Sequence, residues 1–136
     1  MKDIFVDTSY FIALVNKSDD HHSKAKNWAM QIKEKNITCH ITIPVVFEIA
    51  DGFSKTARRE IGIDLIEKMS SSDNFVIHFF DDTTYEKALN LYKSRKDKEW
   101  GLTDCYSFEL MKQLNLLNAL TADKHFEQYG CQILLK

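Results

Sequence analysis

The sequence predicts an α/β fold, a three-layer sandwich with a mostly parallel central sheet. Three observations lead there. A short apolar run, Ile4, Phe5 and Val6, stops at Asp7 as a fully buried strand does. The stretch from Ile37 to Ile43 alternates Ile37, Cys39, Ile41 and Ile43 with Thr38, His40 and Thr42, the period of a strand. Helical stretches separate these runs, so the strands need crossover connections and pair in parallel.

The elements follow in order. Thr8 and Ser9 place hydroxyls at the first junction, before the apolar segment Tyr10 to Val15. From His21 to Lys35, Ala25, Trp28, Ala29 and Ile32 form one stripe of an amphipathic helix, with Asp19 or Asp20 as its expected cap. Pro44 suits the first turn of a helix running to about Lys55 and carrying Glu48. A helix from about Ala57 spaces Ile61, Leu65 and Met69 four apart. Phe75 to Phe80 reads as a strand. Thr83 to Glu86 reads as a capping box, opening a helix with Tyr85, Ala88, Leu89 and Tyr92 on one face. After the charged stretch Lys93 to Glu99, a helix is expected from about Thr103 to Leu114. Strands then follow at Leu117 to Ala122 and Gln132 to Leu135.

Composition narrows the class. The 136 residues make one domain, 1–136, with no repeat or linker. A hydrophobic fraction of 44% supplies a core, which excludes intrinsic disorder. The 18 Lys and Arg against 20 Asp and Glu leave a net charge of −2, which argues against coating nucleic acid by bulk electrostatics. Cys39, Cys105 and Cys131 are far apart and form no CxxC pair, so buried free thiols in a reducing compartment are expected. The charged N-terminus lacks a secretory apolar region, and no run is long enough to cross a bilayer, so a cytoplasmic protein is expected.

In parallel sheets ligands bind beyond the carboxyl ends of the strands. Asp7 follows the first strand, Glu48 lies in the helix after the second, Asp104 opens a late helix and Asp123 follows the fourth strand. All four acids therefore belong at one edge. Such a cluster is costly to ionise without cations, and oxygen donors select Mg²⁺ or Mn²⁺ over zinc. Each aspartate taken singly also reads as a helix cap. Glu48, inside a helix beside Val45, Val46, Phe47 and Ile49, has no capping role.

The segments IFVDTSYFIALVNKSDDHH, IPVVFEIADGF, GLTDCYSFELM and ALTADKHFEQYG together resemble the PIN-domain ribonucleases, in particular the VapC-type toxins. The resemblance spans nearly the whole chain. It implies a PIN-like fold and hydrolysis of RNA phosphodiesters by an Mg²⁺- or Mn²⁺-dependent endoribonuclease, with Asp7, Glu48, Asp104 and Asp123 as its acidic site. Asp7 and Asp104 match the most direct metal ligands, while Glu48 and Asp123 match groups that place a second ion or the attacking water. Glu48 is the candidate general base. Thr8 or Ser9 matches a hydroxyl that supports the first aspartate, or caps the helix. The sequence departs from the pattern at His125, where many members carry another acid. The resemblance also implies a toxin-antitoxin system, with a cognate antitoxin and a homodimer as partners.

RNA needs cations along its path. Lys55, Arg58 and Arg59 form one candidate group, and Lys93, Arg95, Lys96 and Lys98 another, with Trp100 as a candidate base-stacking residue; a solvated charged face, with Trp100 partly in the core, is the plainer reading of each. His40 and His78 lie in expected strands with no visible partner. Two rival functions remain at this stage: a PIN-like RNA-binding module with negligible turnover, and an aspartate-based phosphotransfer domain. The second lacks a D-x-D pair, because position 9 is Ser.

Overall fold

A computed structural model describes residues 2–136. Five strands form one sheet, β1 (Asp3–Val6), β2 (Thr38–Thr42), β3 (Phe75–His78), β4 (Asn118–Leu120) and β5 (Gln132–Ile133), in the spatial order β3-β2-β1-β4-β5. Every pairing is parallel. Seven α-helices connect them: α1 (Thr8–Val15), α2 (His22–Glu34), α3 (Ile43–Gly52), α4 (Arg59–Ser71), α5 (Asp82–Ser94), α6 (Leu102–Gln113) and α7 (Lys124–Tyr129). The expected α/β sandwich is therefore present, with a sheet that is parallel throughout.

Helices α1 to α4 pack on one another along one side, α5 to α7 on the other. Ile4, Phe5 and Val6 of the central strand are fully enclosed between these layers. The chain winds outward from β1 through β2 to β3, then crosses back to β4. That reversal opens a crevice at the carboxyl ends of β1 and β4, where open parallel sheets bind their ligands.

Local chemistry explains the helix starts. The Thr42 hydroxyl accepts the Val45 N–H and Pro44 occupies the first turn of α3, as the sequence suggests. Helix α2 begins at His22, and Asp19 receives the His21 N–H instead of capping the first turn directly. Asp81, not Thr83, caps α5 by accepting from the Thr84 N–H and hydroxyl. With that start, α5 turns Thr84 and Ala88 inward and leaves Tyr85 and Tyr92 exposed, so the inner face differs from the expected one.

The third strand is shorter than the expected Phe75 to Phe80. Its partner β2 ends at Thr42, paired with His78, because α3 begins at the next residue. Phe79 and Phe80 thus leave the sheet and stand in solvent. The expected strand from Leu117 to Ala122 contracts to Asn118–Leu120 in the same way. Helix α7 agrees with the helix-cap reading of Asp123, which caps it, and Gly130, at φ 112, ends it in the left-handed region.

The three cysteines are buried and free, and burial pushes the Cys39 thiol up to about 12. Among the described residues no helix is long and apolar enough to cross a membrane.

Candidate metal centre

Asp7 stands one residue beyond β1, and its side chain is 5% exposed. The Thr121 hydroxyl, just past β4, donates to Asp7 Oδ2 at 3.0 Å. A hydroxyl has one proton, so Thr121 acts as acceptor toward its other neighbours, the Asp123 N–H at 3.0 Å and the Ser9 hydroxyl at 2.9 Å. Ser9 Oγ in turn accepts the Ala122 N–H at 3.0 Å. This chain of hydroxyls ties the end of β4 to the start of α1.

Burial, joined by the charges of Glu48 and Asp104, raises the Asp7 carboxyl to about 7 against the opposing Thr8 backbone N–H and Thr121 hydroxyl. Glu48 and Asp104 are thus close enough for their charges to act on Asp7. Glu48 is exposed, and the Thr8 hydroxyl donates to it. Neither Thr8 nor Ser9 therefore caps α1. Both hydroxyls hold groups of the acidic crevice.

Asp104 lies in the first turn of α6, and its Oδ2 accepts the Gly101 N–H at 3.2 Å. Asp123 caps α7, its Oδ1 accepting the His125 N–H at 2.9 Å. Capping and convergence thus coexist: each aspartate gives one oxygen to a helix start and keeps the other free of hydrogen bonds among the described residues. His125 completes the group. One ligand atom from each of Asp104, Asp123 and His125 lies within 4.8 Å of the others. The His125 Nδ1 is 3.1 Å from Asp104 Oδ2 and 3.6 Å from Asp123 Oδ1. With a carboxylate oxygen on either side, that ring nitrogen is assigned as the N–H donor, which orients the acids. Burial raises the Asp104 carboxyl, opposed by the Gly101 N–H and by His125.

The donor set fits a hard divalent cation. Carboxylate oxygens free of protein hydrogen bonds converge on a crevice where mutual repulsion penalises their ionised forms, and a cation between them removes that penalty. In the sequence His125 stands out only as a departure from the family pattern. Its spacing two residues after Asp123, across a helix cap, is the signal that could have placed it.

Other expected residues stand elsewhere. Trp100 is 4% exposed, donates its Nε1–H to Gln128 at 3.0 Å, and packs on Phe108, Tyr129 and the Arg95 guanidinium. Those neighbours occupy its ring, so the structure denies it the base-stacking role. Lys55, Arg58 and Arg59 are exposed past the end of α3; Arg58 lies over the Phe53 ring and Arg59 donates to the Ser54 carbonyl. Arg95 is held by both carboxylate oxygens of Asp97. His40 and His78, without visible partners in the sequence, are partners of each other at 2.9 Å, and His40 also meets Asp3 at 3.2 Å. Burial and the His40 ring push His78 below its ordinary range.

The PIN domain family model matches residues 4–130. By sequence, no curated protein matches the chain. Among solved structures, Mycobacterium tuberculosis VapC20, described as a sarcin-ricin loop cleaving toxin, superposes with a TM-score of 0.82 at 22% identity, over 94% of this chain and 95% of that one. VapBC2 from Rickettsia felis, bound to a DNA fragment of its promoter, gives 0.70 at 19% identity over 96% of each chain. FitAcB from Neisseria gonorrhoeae gives 0.67 at 19% identity, again over 96% of each chain. At these identities the likeness establishes the fold.

Proposed function

The chain belongs to the PIN-domain family, and from that premise we propose that it is a metal-dependent endoribonuclease that hydrolyses RNA phosphodiesters as the toxin of a toxin-antitoxin pair. The observation that carries the reading is the convergence of Asp7, Glu48, Asp104 and Asp123 on one crevice at the carboxyl ends of β1 and β4. The likeness to an RNA-cleaving toxin supports the substrate class.

Asp7, Glu48, Asp104 and Asp123 would hold Mg²⁺ or Mn²⁺. When bound, such an ion polarises a phosphate oxygen and makes water a stronger nucleophile. The remaining work belongs to the chain. Thr121 donates to Asp7 and favours its ionised form. The Thr8 hydroxyl fixes the Glu48 carboxylate, whose exposed position suits it to accept a proton from attacking water. His125, bridging Asp104 and Asp123, orients both carboxylates.

A cytoplasmic site of action, a cognate antitoxin and a homodimer complete the proposal. The basic side chains Lys55, Arg58 and Arg59 remain exposed and available to phosphates at the far end of α3.

The test is cleavage of a mixed pool of structured RNAs by the purified protein in Mg²⁺ or Mn²⁺, beside EDTA and an Asp104→Asn variant. Cuts that vanish in both controls are expected. Metal binding without any cleavage would replace the reading with that of an RNA-binding module.

A further inference from the structure

A cleft of about 390 Å³ opens beside the acidic crevice, lined by Pro44, Phe47, Glu48, Asp51, Phe80 and Thr103. Glu48 belongs to both cavities, and Thr103 adjoins Asp104, so cleft and crevice are continuous. Two phenylalanines in it are 64% exposed, Phe47 and Phe80. Exposed rings of this size bury far more apolar area with a partner than without one. Phe80 is held in place from behind. Its ring meets Tyr106 edge-on at 5.5 Å, and the Tyr106 hydroxyl accepts the Asp81 N–H at 3.0 Å. Phe47 and Asp51 are four apart on α3, so they are neighbours on one helix surface, with Cβ atoms about 5–6 Å apart.

We propose that this cleft is the specificity subsite of the nuclease, taking one unpaired nucleobase that bears an amino group, guanine best of all. The inference rests on the reading of the crevice as an RNA-cleaving site. Single-stranded nucleic acid binds by stacking bases on aromatic faces, and Phe47 and Phe80 supply two such faces next to the acids. The charge of the cleft selects among bases. Asp51 is an acceptor only, which favours the donor edge of a base over a phosphate. Guanine presents its N1–H and N2 amino group side by side to one carboxylate, the two-point geometry that carboxylates accept from planar donors. Adenine and cytosine offer one amino group; uracil offers only its N3–H, flanked by two carbonyl oxygens that face an acid unfavourably. An apolar protein segment would use the same rings but would leave Asp51 without a partner, so the carboxylates favour the base.

The test measures binding of labelled single-stranded hexauridine RNAs carrying one central G, A, C or U to the full wild-type chain in EDTA. The G hexamer is expected to bind at least tenfold tighter than the all-U one, with A and C between. Phe47→Ala and Phe80→Ala should each weaken the G hexamer about tenfold, the usual loss of one stacking face, while Phe80→Trp retains it. Asp51→Asn should level the four hexamers. Since all three positions are exposed, an unchanged melting temperature checks that the variants stay folded. Equal affinity for all four hexamers overturns the subsite, and so does unaltered binding by the phenylalanine variants, which would assign the rings to a protein partner. Cleavage of the RNA pool in Mn²⁺ is scored in parallel. Cuts without base preference would sink the subsite and spare the nuclease; selective binding without cuts would do the reverse.

Discussion

Thr121 donates its hydroxyl proton to Asp7 across the junction of β1 and β4, and in the same place accepts the Asp123 N–H. One side chain thus holds the Asp7 carboxylate and the Asp123 backbone, at the ends of two neighbouring parallel strands. Its buried position makes the arrangement rigid. Thr121→Val keeps the shape and removes the proton. The Asp7 charge loses a buried donor, at a cost of about 1–3 kcal/mol, and cleavage should fall by one to two orders of magnitude. Thr121→Ser should retain most activity. Full activity in the valine variant would show that the hydroxyl does not serve Asp7.

The raised Asp7 carboxyl predicts an unusual pH dependence. Its folded value of about 7 lies above the unfolded value of 3.8, so between those values the folded state holds a proton that the unfolded state has lost. Its contribution to stability is therefore present below about pH 4 and is lost as pH rises through 7. Asp7→Asn should raise the melting temperature of the metal-free protein at pH 8 by roughly 5 °C or more. Mg²⁺ or Mn²⁺, which favours the ionised form, should stabilise the wild type at pH 8 and leave the asparagine variant nearly unmoved. Thermal melts at pH 5 and 8, with and without metal, check each sign.

Glu48 separates function from stability. It is exposed, and among the described residues its one side-chain partner is the Thr8 hydroxyl. Glu48→Gln should abolish cleavage while changing stability by no more than about 0.5 kcal/mol, as exposed substitutions do. Thr8→Ala should lower kcat, and Thr8→Ser should restore it. A Glu48→Gln enzyme with normal kcat would remove the carboxylate from the chemistry.

What the sequence discloses about this site is the part written in local pattern. Ile4 to Val6 ending in Asp7, and Pro44 opening α3, are readable because a buried strand and a helix start each need those residue types. The order of the strands is less local, yet alternation of strand and helix suffices to call them parallel. Where reading failed, tertiary pairing had decided. Phe79 and Phe80 look like a continued strand until β2 ends beneath them. Trp100 leaves a stacking role and a place in the core both open in the sequence, and only the packing of Phe108 and Tyr129 around it favours the core. The tie between His125 and Asp104 joins residues 21 apart through two helix starts, and no periodicity records such a contact.

Gly62 tests how firmly α3 is held. This glycine sits inside α4, where alanine would favour the helix by about 1 kcal/mol. A Cβ there, however, would lie 2.8 Å from the Phe53 Cβ, and Phe53 is a buried residue at the end of α3. The clash is with an atom that every residue except glycine possesses, so no rotamer of Phe53 relieves it. Gly62→Ala should therefore destabilise, by about 1–3 kcal/mol, because the two helices must separate. Phe53→Leu should not rescue it, since leucine keeps the Cβ. The shift falls on α3, which carries Glu48, so kcat should drop in the alanine variant even at temperatures where it is fully folded. Denaturant melts of the single and double variants, beside their cleavage rates, decide the matter; a stabilised Gly62→Ala protein would mean that α3 and α4 yield freely and that Glu48 is positioned by Thr8 alone.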